Sequence, residues 1–172
     1  CGLLRPVEHE ADAVIDNDAT CARLADIAVA YAKAGAHMVC PSDMMDSRVA
    51  RIRAALTANG FAHVSIMSYT SKKASSFYAP FRNAVESTFK GHRKRYQHPV
   101  GSSRLAMRAL RRDVGEGADV VIVKPALFYA DIVHRFAAEG DVPVAVYIVS
   151  GEAVMLKGYA DRIGDLDTVL RE

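Results

Sequence analysis

Short apolar runs rich in β-branched residues alternate along this chain with stretches whose apolar residues recur at helical spacing. No other feature restricts the fold as much. The runs 36–40, 63–69, 119–123 and 142–149 read as strands, and each is apolar on both faces. A strand that offers two apolar faces must be covered twice, which implies a parallel sheet with helices packed over it. The expected class is therefore α/β.

The intervening helices carry their own signals. Ala22, Leu24, Ala25, Ile27, Ala28, Tyr31 and Ala32 recur at helical spacing until Gly35, with Asp18 or Thr20 as the expected cap. A second helix has Asp46 or Ser47 as its cap, Val49, Ile52, Ala55 and Leu56 as its stripe, and Gly60 as its stop. A third begins at Ser102 or Ser103 and turns Leu105, Ala106, Ala109, Leu110 and Val114 inward before Gly115 and Gly117. Residues 129–138 form a fourth, and 152–171 two pieces split near Gly164. Residues 5–17 read as a polar connecting loop. Residues 74–101 show no strand, and they carry Arg82, Lys90, Arg93, Lys94 and Arg95. Loops this long are usually lids or binding loops, so a cationic flap is expected here.

Length predicts one domain over 1–172. A net charge of +2 gives no reason to invoke nucleic acid or a membrane surface. No run reaches the roughly 18 apolar residues that span a bilayer. The three cysteines, Cys1, Cys21 and Cys40, are too few and too widely spaced for a disulfide framework. They favour a reducing compartment, and cytoplasm is the expected one. Cys21 and Cys40 read as core residues. The chain opens on Cys1 without a methionine, so its natural start is expected to lie upstream.

Chemistry concentrates where two of the strands end, at Ser71-Lys72-Lys73 and at Val123-Lys124-Pro125. An ammonium beside an apolar wall is costly and two facing one cavity repel, so both effects push a lysine pKa down. A neutral amine is a nucleophile suited to Schiff-base formation with a carbonyl. In barrels of parallel strands the reactive groups stand at the carboxyl ends. By that rule Asp43, Tyr69, Lys72, Lys124, Tyr147 and Ser150 share one rim. Strand parity groups Lys73, not Lys72, with Tyr69, unless the strand has ended by Ser71.

The tract from Met67-Ser68-Tyr69 to Arg82, together with Val123-Lys124-Pro125, resembles the porphobilinogen synthase (5-aminolevulinate dehydratase) family. So do Cys1-Gly2-Leu3-Leu4, Pro41-Ser42-Asp43-Met44-Met45-Asp46, Arg93 to Gln97, Glu116-Gly117-Ala118-Asp119 and Tyr147 to Met155, all in the family's order. The resemblance implies a (β/α)8 barrel, of which this chain supplies about four consecutive strand–helix units, a partial TIM barrel with a long lid loop. A whole barrel needs about 250 residues. It also implies condensation of two 5-aminolevulinate molecules to porphobilinogen, one held by Lys124 and the other by Lys72 as Schiff bases, in tetrapyrrole and heme biosynthesis.

Further roles follow from the same resemblance. Arg82, Arg93 and Gln97 match positions that grip one substrate's carboxylate, and Ser150 matches a hydroxyl that contacts the other; of the rim residues Tyr69 is expected to line the substrate, and Tyr147 either to touch it or to pack above a lysine. Cys1 matches the last of three cysteines that bind catalytic zinc, with the other two ligands expected upstream. Ala109 stands where some members place a glutamate for an allosteric magnesium, which argues against that ion here. Homo-oligomers, often octamers, are implied. Two rival readings stand beside this one: a truncated homologue that binds or assembles through its open sheet edges, and another class I aldolase-like Schiff-base lyase.

Overall fold

The computed structural model describes residues 2–5, 14–78 and 93–171, with the side chain of Arg93 excepted. Two short strands, β1 (Leu3–Arg5) and β2 (Val14–Asp16), pair antiparallel ahead of the first helix. The polar stretch expected to be loop thus ends in a strand. The following helix α1 (Asn17–Lys33) starts earlier than its apolar stripe suggested, because Asp16 caps it by accepting from the Ala19 N–H at 3.0 Å. Thr20, one of the two expected caps, lies inside the helix. Its hydroxyl donates to the Asp16 carbonyl and accepts from the Leu3 N–H, which ties β1 to the helix.

Four parallel strands form the main sheet in the order β3 (Met38–Val39), β4 (Ser65–Lys72), β5 (Val120–Lys124), β6 (Val144–Val146). Helix α2 (Arg48–Ala58) connects β3 to β4, α3 (Ser103–Gly115) precedes β5, and α4 (Ala130–Glu139) connects β5 to β6. Beyond β6 run α5 (Ser150–Ile163) and α6 (Leu166–Arg171), which meet at the left-handed Gly164 (φ 72°). The last strand is shorter than its apolar run, since 147–149 leave the sheet and lead directly into α5.

One face of the sheet makes the core. Val39, Ile66, Val121 and Val123 pack there against Ala28 and Ala32 of α1, Ile52 and Leu56 of α2, Leu110 of α3, and Phe136 of α4. On the same face lies a buried polar knot. Arg48, wholly buried, donates to Ser68 Oγ (2.7 Å) and to the Tyr69 carbonyl (3.0 Å), and pairs with Asp113 at 3.1 Å. Ser68 and Thr70 also donate to Asp113 Oδ2, and Arg112 donates to its Oδ1, so both oxygens of that carboxylate are engaged. Burial raises the Asp113 pKa, but Arg48, Arg112 and Ser68 outweigh it and hold the carboxyl below its usual range.

Alternation along β5 puts Lys124 on the face of Ile122, opposite Val121 and Val123. Along β4 the alternation breaks. Ser68 pairs with Val121 and Ser71 with Val123, so β4 carries one residue more than β5 across this step, a β-bulge. Beyond it Lys72 is the register partner of Lys124. The strand has not ended at Ser71, and the extra residue exchanges the faces of the two lysines.

Candidate active site

All four strands run the same way, so the segments leaving their carboxyl ends gather on one rim: the loop after β3 with Cys40 and Asp43, Lys72 on β4, Lys124 on β5, and Tyr147 after β6. Tyr69 is the shared surface. Lys72 Nζ lies 5.2 Å and Lys124 Nζ 5.3 Å from the centre of its ring. The Tyr147 ring is tilted against Tyr69, with centroids 6.3 Å apart, and its face lies 3.6 Å from Lys124 Nζ. Tyr78 adds a third ring at 5.7 Å from the same amine. Lys124 thus sits in an aromatic box, whose π-faces favour a cation.

Lys72 is buried and donates to the Ser42 carbonyl. Beside it Asp43, also buried, accepts from the Met45 N–H at 2.7 Å and approaches Arg48 Nε at 3.4 Å, while its Oδ2 has no partner. Burial pushes the Asp43 carboxyl above its usual range, against Arg48, backbone hydrogen bonds and Lys72, which pull it down. Burial likewise pushes the Tyr69 phenol up to about 12, with Cys40 and Tyr147 adding to it. Lys73 turns to the other side. Its Nζ donates to the Ser102 carbonyl at 2.7 Å and lies 5.5 Å from the Tyr129 ring.

The rim is held from beneath by a second carboxylate. Glu152, wholly buried in the first turn of α5, accepts from the N–H groups of Leu127 (2.8 Å) and Val149 (2.9 Å) and is 3.4 Å from that of Ala126. It fastens the segment that follows Lys124, whose bond to Pro125 is cis, to the helix that begins with Ser150. Gly151 rests on the 3-10 turn Ser76–Tyr78, so closely that a Cβ there would lie 2.6 Å from the Phe77 carbonyl oxygen. Ser150 Oγ is buried without a hydrogen-bond partner.

Gln97 is placed differently from the lysine pair. It is buried, and it lines a cavity to which Tyr69, Lys72, Lys124 and Tyr147 do not contribute. Arg82 and Cys1 lie outside the described residues, as does the Arg93 side chain. Among the described residues, no group of three or more His, Cys, Asp or Glu side chains could hold a metal ion.

The chain matches the family described as delta-aminolevulinic acid dehydratase over residues 1–172. It belongs to that family. A delta-aminolevulinic acid dehydratase of Mycobacterium tuberculosis is 50% identical over 146 residues, 85% of this chain and 44% of the relative. A chloroplastic dehydratase of Pisum sativum is 50% identical over 163 residues, 94% of this chain and 41% of the relative. The crystal structure of the Toxoplasma gondii enzyme in complex with the reaction product porphobilinogen superposes with a TM-score of 0.89 at 42% identity, over 99% of this chain and 48% of that one. The chain therefore spans less than half the length of these dehydratases, and its sheet is a partial (β/α)8 barrel of four strands.

Two residues of the rim and its support escaped the sequence reading. Cys40, expected in the core, is exposed at the end of β3. Burial of its sulfur pushes the thiol pKa up while the charge of Lys124 pulls it down, which places it at the rim. Its position after a strand was the available signal. Glu152 gave no signal: a glutamate at the start of a helix is usually a solvated cap.

Proposed function

We propose that this chain carries the two-lysine centre of a porphobilinogen synthase, which condenses two 5-aminolevulinate molecules to porphobilinogen in tetrapyrrole and heme biosynthesis. The carrying observation is that two amines from adjacent strands flank one ring, Tyr69. Each amine attacks a keto carbon, whose oxygen leaves as water, and the imines so formed hold the two substrates side by side. Carbon–carbon and carbon–nitrogen bond formation then closes the pyrrole and releases both lysines, with a net loss of two waters.

The surroundings support separate roles for the amines. The Tyr147 face against Lys124 suits an iminium cation at that nitrogen. Both amines lie against the one Tyr69 ring, close enough for two substrates to be held side by side. Asp43, buried with one unpartnered oxygen and a raised pKa, is suited to exchange a proton beside Lys72. Ser150 Oγ, buried and unpartnered, is free to take a substrate carboxylate. By resemblance we assign Arg82, Arg93 and Gln97 to the other carboxylate, since a planar fork fits it better than an ammonium.

Zinc, with Cys1 as one ligand and two more upstream, is part of this proposal by resemblance; held there it would supply Lewis-acid polarisation beside the substrate. A homo-oligomer and a cytoplasmic setting belong to it too. The unpaired thiols of Cys21 and Cys40 agree with a reducing compartment. Among the described residues no helix is long and apolar enough to cross a membrane, and some plant relatives are described as chloroplastic.

The test is borohydride reduction in the presence of 5-aminolevulinate, read by peptide mass spectrometry. A reduced adduct on Lys124 is expected. No adduct on either Lys72 or Lys124 would overturn the assignment. The sheet edges favour a second reading, an assembly element that turns nothing over, because Val146 at the end of β6 and Tyr147 and Ile148 after it are 53%, 43% and 44% exposed. Porphobilinogen formation by the chain alone would eliminate it.

A further inference from the structure

A cavity of about 860 Å³ lies between residues 14–17, the loop 44–46, the segment 94–99 and α3. That volume is in the range of small-molecule sites. Its charge is one-sided. Lys94, Arg95, Arg108 and Arg112 line it against one carboxylate, Asp46, which Arg112 already holds. Lys94 and Arg108 form no ion pair with any described residue.

Two polar side chains in the same wall lack partners. Gln97 is 3% exposed and neither atom of its amide is hydrogen-bonded; the buried Nδ1 of His98 is unpaired as well. Burial, then Lys73 and Arg112, push the His98 pKa down to about 4, so the ring is neutral at pH 7 and offers one donor and one acceptor. Buried polar atoms in native proteins are nearly always paired. Here the missing partner and the excess positive charge point to the same kind of ligand.

We propose that this cavity binds a small polyanion bearing two or more carboxylate or phosphate groups. Arg108, Arg112 and Lys94 supply the charge, and Gln97 and His98 complete the hydrogen bonding. Occupancy reaches the lysine rim through the main chain: the His98 N–H donates to the Lys72 carbonyl at 3.0 Å, and the Ala74 N–H to the His98 carbonyl at 2.9 Å. The sign of the coupling rests on the function proposed above. If the Gln97 amide serves a substrate carboxylate, a polyanion that takes it opposes 5-aminolevulinate.

The test is isothermal titration of the 172-residue chain at low salt with inorganic pyrophosphate, and separately with citrate. Saturable binding of at least one probe is expected. It should weaken at least about tenfold in Arg108→Ala, fall with added salt, and persist in Lys124→Met. No saturable binding of either probe would overturn the proposal. So would binding that Arg108→Ala leaves unaltered, or binding that Lys124→Met abolishes, which would put the anion in the lysine site. For the coupling, pyrophosphate should raise the 5-aminolevulinate concentration needed for half-maximal borohydride labelling, and should do so less in Arg108→Ala. A chain that binds pyrophosphate through Arg108 but is never labelled would refute the proposed function and leave the polyanion site standing.

Discussion

Lys72 and Lys124 are register partners on neighbouring parallel strands, and the ring of Tyr69 lies 5.2 Å from one amine and 5.3 Å from the other. The pairing depends on the bulge between Ser68 and Ser71. Without the extra residue, a one-residue change of phase would deliver Lys73 to the rim and turn Lys72 toward the helices.

The bulge makes the two adjacent lysines separable by substitution. Lys73→Met should leave borohydride labelling at Lys124 intact, while costing about 1–2 kcal/mol of stability through the lost hydrogen bond to Ser102. Lys72→Met should remove labelling at position 72 without unfolding the chain. Peptide mapping of the reduced adducts, with denaturant melts of each variant, checks both. An adduct on Lys73 in the unsubstituted chain would contradict the register.

Gly151 sets the distance between α5 and the turn that carries Tyr78. A methyl group there must displace the Phe77 backbone, so Gly151→Ala should lower stability by roughly 1–3 kcal/mol. Because Tyr78 faces Lys124, the labelling yield should drop with it. Unchanged stability would mean that the helix start moves freely.

The rim thiol and the core thiol should differ in reactivity. Cys40 is exposed, with a pKa above the ordinary 9.0, so alkylation is slow at neutral pH and accelerates as the pH passes that value. Prior reduction of 5-aminolevulinate onto Lys124 should shield it. Cys21, buried and pushed up to about 11, should stay unmodified until the chain unfolds. Peptide-resolved alkylation over a pH series tests this, and equal rates at the two sites would refute it.

His98 makes stability depend on acid. Its folded pKa of about 4 lies below the ordinary 6.5, so between those values the unfolded chain binds a proton that the fold refuses. The contribution is complete above pH 6.5 and is lost as the pH falls to about 4; it is worth roughly 2–3 kcal/mol. Urea melts at pH 7.5 and 4.5 should show a smaller acid loss in His98→Asn than in the unsubstituted chain. Asp43, whose carboxyl burial holds above its usual range, contributes with the opposite sign in both chains alike and cancels from the comparison. Identical losses would show that the ring is not buried neutral.

Ser47, at the start of α2, has φ 65°, and its side chain makes no capping hydrogen bond. Only glycine adopts this conformation without strain. Ser47→Gly should therefore raise stability by about 0.5–1 kcal/mol, and Ser47→Val should lower it by more. Thermal melts of the two variants decide; a less stable Ser47→Gly would mean that the hydroxyl contributes something the geometry does not reveal.

Much of this protein could be read from its residues alone. Doubly apolar strands between amphipathic helices determine a parallel sheet, because only helices on its faces can cover such strands, and a parallel sheet brings the strand ends to one rim. That reasoning brought Lys124, Tyr69 and Tyr147 to one rim, and resemblance rather than strand parity chose Lys72 over Lys73. What it could not supply was phase and partnership. An inserted residue in β4 leaves no mark in an apolar pattern, since the pattern is the same on both faces, so the exchange of Lys72 and Lys73 appears only when β5 is laid beside it. The Asp16 cap needed the pairing of β1 with β2. Arg48, Asp113 and Glu152 are of residue types usually found at the surface, yet they are buried because distant backbone and side-chain groups complete their hydrogen bonds, and those meet only in the folded chain.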